Sequence, residues 1–437
     1  MAQATAFDTQ RDIDLHSMPD RSRTSAPAAR LDVRLSIHDD LAAVESEWRA
    51  FERNADCTVF QTFDWMSAWH RNIGVRQGVT PVIVAGRDSA GALLFILPFA
   101  VEAGGLVRRL TWFASDLCDY NAPLLAADFS TRINPARFLE LWRDIVDRLQ
   151  SHSGFRYDLI HFEKMPEKVS AQVNPMLGFP VVLNPSNAYL TSLGTDWEKF
   201  YTAKRSSATR RRDRTKRKKL AEFGEVKLVN LVNVEDVASS FEILMQQKAL
   251  QFARMGVSNL FARPGYAEFY REVAIAKRDL VHVSRLDVGS VPAAVNYGLT
   301  FRGCYYHVLA SYTDRELSKF GPGAAHLHDL MGYAIGHGCS KFDFTIGDER
   351  YKRDWCDTEL KLFDHVVIAT ARGALVAGPL LAARAVKRWI KQTPMLWNAF
   401  TKARSLVGSL RAPKKPTSPP PRSPAATRPP PRGLCRR

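Results

Sequence analysis

Residues 304–352 read CYYHVLASYTDRELSKFGPGAAHLHDLMGYAIGHGCSKFDFTIGDERYK, and this stretch decides the fold. Cys304 to Tyr312, apolar and aromatic, reads as a strand. After the loop 313–321, Pro322 opens a helix at its first position, running to about His337. Lys341 to Thr345 is a short strand, followed by a loop from Gly347 to Trp355. Within that strand Phe342 and Phe344 face a core, so Lys341, Asp343 and Thr345 point to the opposite side. Gly321-Pro322-Gly323-Ala324 sits where a helix start presents backbone N–H groups and the positive dipole end, a place suited to an anion. An ordinary proline-initiated helix start has the same spelling.

Two more strands precede this stretch, Val281 to Val288 and Val291 to Phe301. The second alternates, Val291, Ala293, Val295, Tyr297 and Leu299 on one face, Ala294, Asn296, Gly298 and Thr300 on the other. Asn233 can cap a helix whose Val237, Phe241, Leu244 and Met245 form one buried stripe. Residues 31–190 show a similar plan: a helix around Leu41 to Phe51, an aromatic helical stretch (Phe60, Phe63, Trp65, Trp69), strands Thr80 to Ala85 and Ala92 to Val101, a helix Leu139 to Leu149 and a strand Tyr157 to Phe162. No Gly-rich phosphate loop occurs there.

Of the 437 residues, 61 are Lys or Arg and 45 Asp or Glu, a net charge of +16. The excess is local. Residues 376–437 hold 14 basic residues and no acid, and residues 204–219 hold 10 with one Asp, leaving the rest at −7. With 46% hydrophobic residues the chain has ample material for a core. The six cysteines are scattered without a C-x-x-C pair, which argues against a disulfide framework or a zinc site. The first 30 residues lack a signal-peptide core and read as a disordered leader. The most apolar run, Val366 to Ala383, is interrupted by Arg372, Gly373, Gly378 and Pro379 and reads as strand, turn and helix start. The expectation is a soluble, cytoplasmic protein.

The strand, glycine turn, helix and strand of 304–345 resemble the acyl-CoA site of the GNAT acyltransferase superfamily. Its pyrophosphate loop has the pattern Gln/Arg-x-x-Gly-x-Gly/Ala. Here Ser318-Lys319-Phe320-Gly321-Pro322-Gly323 matches both glycines and lacks the leading Gln/Arg, for which Lys319 is the substitute charge. Phe342-Asp343-Phe344-Thr345, Gly347-Asp348, Tyr351-Lys352 and Trp355 are similar to the signature of the CelD-type branch, bacterial proteins associated with cellulose and exopolysaccharide biosynthesis. Asp119-Tyr120-Asn121-Ala122-Pro123 and the basic helix from Lys204 extend the likeness over most of 35–390. The branch also resembles Fem-type aminoacyl transferases, built from two GNAT-like halves. The resemblance implies an α/β (α+β) fold of two tandem GNAT-like domains with mixed, mainly antiparallel sheets flanked by helices. The expected boundaries are a leader 1–30, a degenerate first domain 31–190, an acyltransferase domain 191–375, basic amphipathic helices 376–410 and a disordered Pro/Arg-rich tail 411–437.

It also implies roles. Asp343 orients or deprotonates an acceptor hydroxyl or amine, unless backbone N–H groups simply satisfy it. Tyr351 returns a proton to the leaving thiolate, or is a core tyrosine. Lys352 stabilises the acyl oxygen, worth roughly 3–4 kcal/mol for such a donor, or is a surface lysine. His307 is a further catalytic candidate whose other reading is structural. Ser318, Lys319, Gly321, Gly323 and Ala324 hold the pyrophosphate of acetyl-CoA or another acyl-CoA. Asp348 contacts the acceptor; Asn296, on the polar face of its strand, does so too or is a sheet-surface residue, and Arg210 and Arg214 do so unless the helix 204–219 is a solvated element. His326, His328 and His337 diverge on their helix and build no metal site, and no Gly-x-Ser-x-Gly or Walker loop appears.

The expected function is direct acyl transfer from acyl-CoA to an amine or hydroxyl, on a small-molecule, saccharide or envelope acceptor. Fem-type aminoacyl transfer from tRNA and a non-catalytic scaffold of a polysaccharide synthase are the alternatives, and DNA is no partner. The helix with Arg384, Lys387, Arg388 and Lys391 on one stripe and Ala382, Val386, Trp389 and Ile390 opposite either docks on the second domain with its basic side in water or, with the rest of 380–437, meets an anionic inner-membrane surface. Pro394 ends it, and a second piece carries Trp397 and Phe400.

Overall fold

The computed structural model describes residues 32–400, apart from 314–315, 394, 397–399 and the side chains of 391 and 392. The leader, Pro394, Trp397 and the tail from 401 lie outside the described residues.

The first half lays down β1 (Arg34–His38), α1 (Glu45–Glu52), α2 (Phe63–Trp69), β2 (Thr80–Arg87), β3 (Leu93–Gly104), β4 (Val107–Trp112), α3 (Pro135–Ser151) and β5 (Leu159–Pro166). Next come β6 (Ala188–Ser192), α4 (Trp197–Lys204) and α5 (Ser207–Ala221). The second half then repeats the order with β7 (Val226–Asn230), α6 (Val234–Met255), α7 (Tyr266–Ala276), β8 (Val281–Val288), β9 (Val291–Phe301), β10 (Cys304–Tyr312), α8 (Pro322–Gly336) and β11 (Lys341–Ile346). β12 (Thr358–Leu360), β13 (Leu362–Ile368) and α9 (Ala371–Gln392) follow.

Each half is an antiparallel meander whose last strand is joined through a crossover helix to a parallel neighbour. β4 runs parallel to β5 with Arg109 opposite Leu159, and β10 parallel to β11 with Tyr306 opposite Asp343. The other pairings in these sheets are antiparallel, and the fold is two mixed, mainly antiparallel sheets. The sheets also exchange strands. β6 inserts beside β11 in the second sheet, and β13 returns to pair with β5 in the first. Long-range pairing of this kind has no local sequence signature, because alternation marks a strand but not its neighbour.

Aromatic packing fixes the halves to each other. Trp65 of α2 meets Phe269 of α7 edge-on at 4.8 Å and Tyr270 at 5.9 Å. Burying a ring of this size contributes up to about 5 kcal/mol at ~25 cal/mol/Å², so the interface is a shared core rather than a hinge.

The start of α9 is tied to β5's end: Thr370 Oγ1 donates to Asp158 Oδ1 at 2.6 Å. Farther along, Arg384 pairs with buried Asp364 at 2.9 Å and with Glu163. The helix therefore docks on the first sheet, with Arg384 inward, and not on the second domain with its basic stripe in water. The reason is a pair of carboxylates, Glu163 and Asp364, which an unpaired arrangement would leave under the helix at high desolvation cost. Among the described residues no helix is long and apolar enough to cross a membrane.

Candidate active site

β10 and β11 pair only as far as Tyr306 and Asp343, although β10 continues to Tyr312 and β11 to Ile346. Past that register they splay, and the splay is where the candidate residues gather. Phe342 and Phe344 are buried in the core under α8 with Leu327, Leu330 and Tyr305. Lys341 and Asp343 turn the other way, onto the wall of a cleft of about 810 Å³. The cleft lies between the halves: Cys57, Thr58, Tyr120 and Lys168 come from the first, Arg302, Tyr306, Asp343 and Lys361 from the second part of the chain.

Asp343 is 4% exposed and is held from two sides. The Tyr120 hydroxyl, 223 residues away in sequence, donates to its carboxylate at 2.8 and 3.0 Å. The Thr345 N–H donates at 2.7 Å. Burial raises its pKa to about 7 against the opposing pull of the Tyr120 bond, the Thr345 amide and Lys352, with neighbouring Asp119 pushing the same way as burial. Thr345 reaches this geometry with φ 59°, a left-handed conformation unusual for a β-branched residue. Its hydroxyl bonds Asp119, whose carboxyl is also raised by burial, with Lys164 opposing. Strain of this kind persists where surrounding structure imposes it, and here it joins the buried Asp343 to the half-buried Asp119.

Lys352 is 4% exposed, from the short helix Arg350–Arg353. Its ammonium donates to the carbonyls of Ile346 at 2.8 Å and Thr345 at 3.4 Å and pairs with Glu349 at 3.1 Å. All of its donors are thus directed at the turn 345–349. A Cβ on Gly347, at φ 134°, would come within 2.9 Å of that ammonium. Tyr351 is 40% exposed and so is not a core tyrosine; it meets Phe344 edge-on at 6.4 Å, and the partial desolvation of its hydroxyl, with Glu349 nearby, raises the pKa of the phenol. His307 packs on Phe342 at 6.0 Å, and burial, then Lys352, lowers its pKa to about 3, so the ring is neutral. Sequence reasoning did not pick out Lys248 of α6. Burial brings its ammonium down to about 8, with Glu349 opposing and Lys352 reinforcing the shift.

Asn296 is fully buried and donates to Tyr305 Oη at 2.8 Å; it is not among the residues lining the cleft. Asp348 accepts from Tyr189 Oη at 3.4 Å. Arg210 donates to Arg205 O at 2.7 Å and closes the end of α4, while Arg214 is exposed on α5. His326 bonds Ser284 at 3.0 Å, and the three α8 histidines do not converge.

At the start of α8, Gly321 takes φ 68° and no side chain caps the helix. Pro322 has no N–H, and the amides of Ala324 and Ala325 both donate to Gly321 O at 3.1 Å. The turn consequently has few backbone donors to spare for a phosphate. Charge compensates from elsewhere. Lys319 pairs with Glu316 at 2.8 Å, but Lys216 of α5 brings its ammonium within 3.8 Å of the position a Gly321 Cβ would take. Arg217 fastens α5 to α8 through Asp329 at 3.0 Å. No periodicity in 204–219 announces which of its ten cations faces the glycine turn.

Comparison with known proteins bears on these same elements. Residues 207–353 match the family described as "Acetyltransferase (GNAT) domain". These residues carry a GNAT acetyltransferase domain. The GNAT match takes in α5, the glycine turn, Asp343 and Lys352, whereas Tyr120 lies outside it. The domain is that of an acyltransferase. Over the longer chain the fold is similar to the crystal structure of FemX, at 10% identity, covering 75% of this chain and 96% of that one, with a TM-score of 0.51. A conserved protein of unknown function from Bacteroides thetaiotaomicron VPI-5482 (10% identity, 77% and 100% covered, TM-score 0.49) and a tandem GNAT protein from the clavulanic acid biosynthesis pathway (10%, 78% and 99%, 0.45) are more distant. No curated protein matches the chain.

Proposed function

We propose that the protein transfers an acyl group from acyl-CoA to an amine or hydroxyl bound in the cleft between the halves. One observation carries this reading: Asp343, buried, poised near pH 7, faces that cleft while Tyr120 of the other half holds its carboxylate. A base with a pKa close to the working pH combines a large deprotonated fraction with useful basicity. The acceptor approaches along the cleft, gives its proton to Asp343 and attacks the thioester directly, without a covalent enzyme intermediate. Its nitrogen or oxygen gains the acyl carbon as the carbon–sulfur bond breaks, and Tyr351 supplies the proton to the thiolate. Lys352 acts by holding the turn 345–349 and by keeping Asp343 from rising further, which the direction of its electrostatic influence supports. Gly321 to Ala324 take the pyrophosphate with Lys216 as the principal counter-charge.

The cleft wall combines Leu190, Phe301 and Leu360 with Lys168, Glu167 and Glu359. Apolar faces beside charged hydrogen-bonding groups suit a saccharide, and a role in exopolysaccharide, cellulose or envelope biosynthesis follows from the CelD-type signature. A second reading has its own observation. Arg211, Arg212, Arg214, Lys216 and Lys218 are exposed on α5 beside the glycine turn, a surface that a tRNA-borne aminoacyl donor would use.

Calorimetric titration of the full chain with acetyl-CoA tests the choice. Binding that Gly323→Trp abolishes supports the acyl-CoA donor. Absent binding, with tRNA association falling steeply between 50 and 200 mM salt, supports the second reading. Neither kind of binding leaves a scaffold.

A further inference from the structure

α9 is amphipathic the wrong way round for a helix lying on a protein. Leu375, Pro379, Ala382, Val386 and Trp389 recur at helical spacing and all face outward, with Leu375 75%, Val386 53% and Trp389 63% exposed. The face turned to the first sheet carries Gly373, Ala377 and the partly buried Leu380, then two arginines. Arg384 pairs with Asp364 and Glu163, and Arg388 donates to the carbonyl of Asn184. The C-terminal part of the docked side is therefore spent on specific polar bonds, while Leu375, Val386 and Trp389 are left in water.

We infer that this outward stripe is a docking face for an anionic lipid surface. Charge selects that occupant over an apolar groove on another protein. From His365 to Arg437 the chain has 15 Lys or Arg and no Asp or Glu; with Arg384 and Arg388 bonded inward, the other 13 attract an anionic leaflet and no acid of the segment opposes them. An indole and aliphatic side chains seat at the boundary between headgroups and acyl chains, with the cations left among the headgroups. The helix lies along the surface, since none among the described residues can cross it. The face lies on the first sheet's side, outside the GNAT domain, and the inference stands whether or not the cleft transfers acyl groups.

The test is flotation of the full-length protein with vesicles of phosphatidylcholine alone or with about a third phosphatidylglycerol. Wild type floats with the anionic vesicles and not with the neutral ones. Val386→Glu with Trp389→Glu lowers the bound fraction about tenfold. Both positions are more than half exposed, and an unchanged thermal midpoint of the variant excludes misfolding. Three results overturn the inference: no flotation of wild type, flotation equal in the double variant (electrostatic contact by the tail alone), or a concentration-dependent dimer that the double variant abolishes without any vesicle binding.

Discussion

In the first half the crossover helix α3 starts on Asn134-Pro135, and the Asn134 side chain accepts from the Arg137 N–H at 2.9 Å. In the second half the corresponding helix α8 starts on Gly321-Pro322, takes no side-chain cap and has Lys216 at its mouth. Both helices follow an antiparallel meander and lead into a parallel strand, so the two starts occupy matching places in one plan. One is capped by its own side chain, and the other has no side-chain cap and a lysine of another helix beside it. The halves differ again just past the meander. The first half sends the loop bearing Asp119 and Tyr120 across to the cleft-facing Asp343, whereas bonds the second half returns, such as Tyr266 to Asp116 and Arg302 to the carbonyls of Ala55 and Glu52, tie the halves together without reaching that carboxylate. In the proposed function the first half thus contributes Tyr120 to the acid of the second.

If that division is right, damage to the second half's acid dominates. Asp343→Asn should lower turnover by about 10²–10⁴-fold, the range of a positioned general base, measured as initial rate once an acceptor is in hand. The same change should help stability under alkaline conditions. The folded-state pKa of Asp343 lies above its unfolded value, so stability from this group is fully present below about pH 4 and is lost as pH rises through about 7. Asp343→Asn is accordingly expected to melt higher than wild type at pH 8 and no higher at pH 4. A variant that loses stability at pH 8 would show the carboxylate to be structural.

The contribution of the first half is smaller and is read in the pH profile. The Tyr120 bond lowers the Asp343 pKa, so Tyr120→Phe should move the acid limb of the rate profile upward by about one unit, with the rate above pH 9 largely kept. A drop uniform with pH would mean that Tyr120 only packs. The smallest effect belongs to the capped helix start. Asn134→Ala should cost about 1 kcal/mol in denaturant unfolding and leave acetyl-CoA affinity unchanged.

What was legible in the chain was local. The alternation of Val291 to Phe301, the glycine turn and Pro322 gave strand, turn and helix at nearly their observed limits, and the Phe342/Phe344 alternation correctly turned Asp343 away from the core. What was hidden depends on partners far off in sequence. Tyr120 was visible only as part of a motif, without a hint that it reaches Asp343. Lys319 looked like the charge for the turn because it is adjacent, yet Glu316 is adjacent too and takes it, leaving Lys216 of a preceding helix in that place. Helical spacing identified both faces of α9, and only the carboxylates of Glu163 and Asp364 determine which one is inward. Lys352 shows the same limit: its motif implied a donor to the acyl oxygen, or a surface lysine, whereas the side chain is buried with the carbonyls of Thr345 and Ile346 as its acceptors.

The central claim, one working acid shared by two halves, is open to a measurement that needs no substrate. The ¹³Cγ resonance of Asp343, assigned by its loss in Asp343→Asn, can be titrated in wild type and in Tyr120→Phe. The account predicts a midpoint of about 7 in wild type and a higher one in the variant. A wild-type midpoint in the ordinary aspartate range, about 4, or one that Tyr120→Phe leaves unmoved, would contradict it.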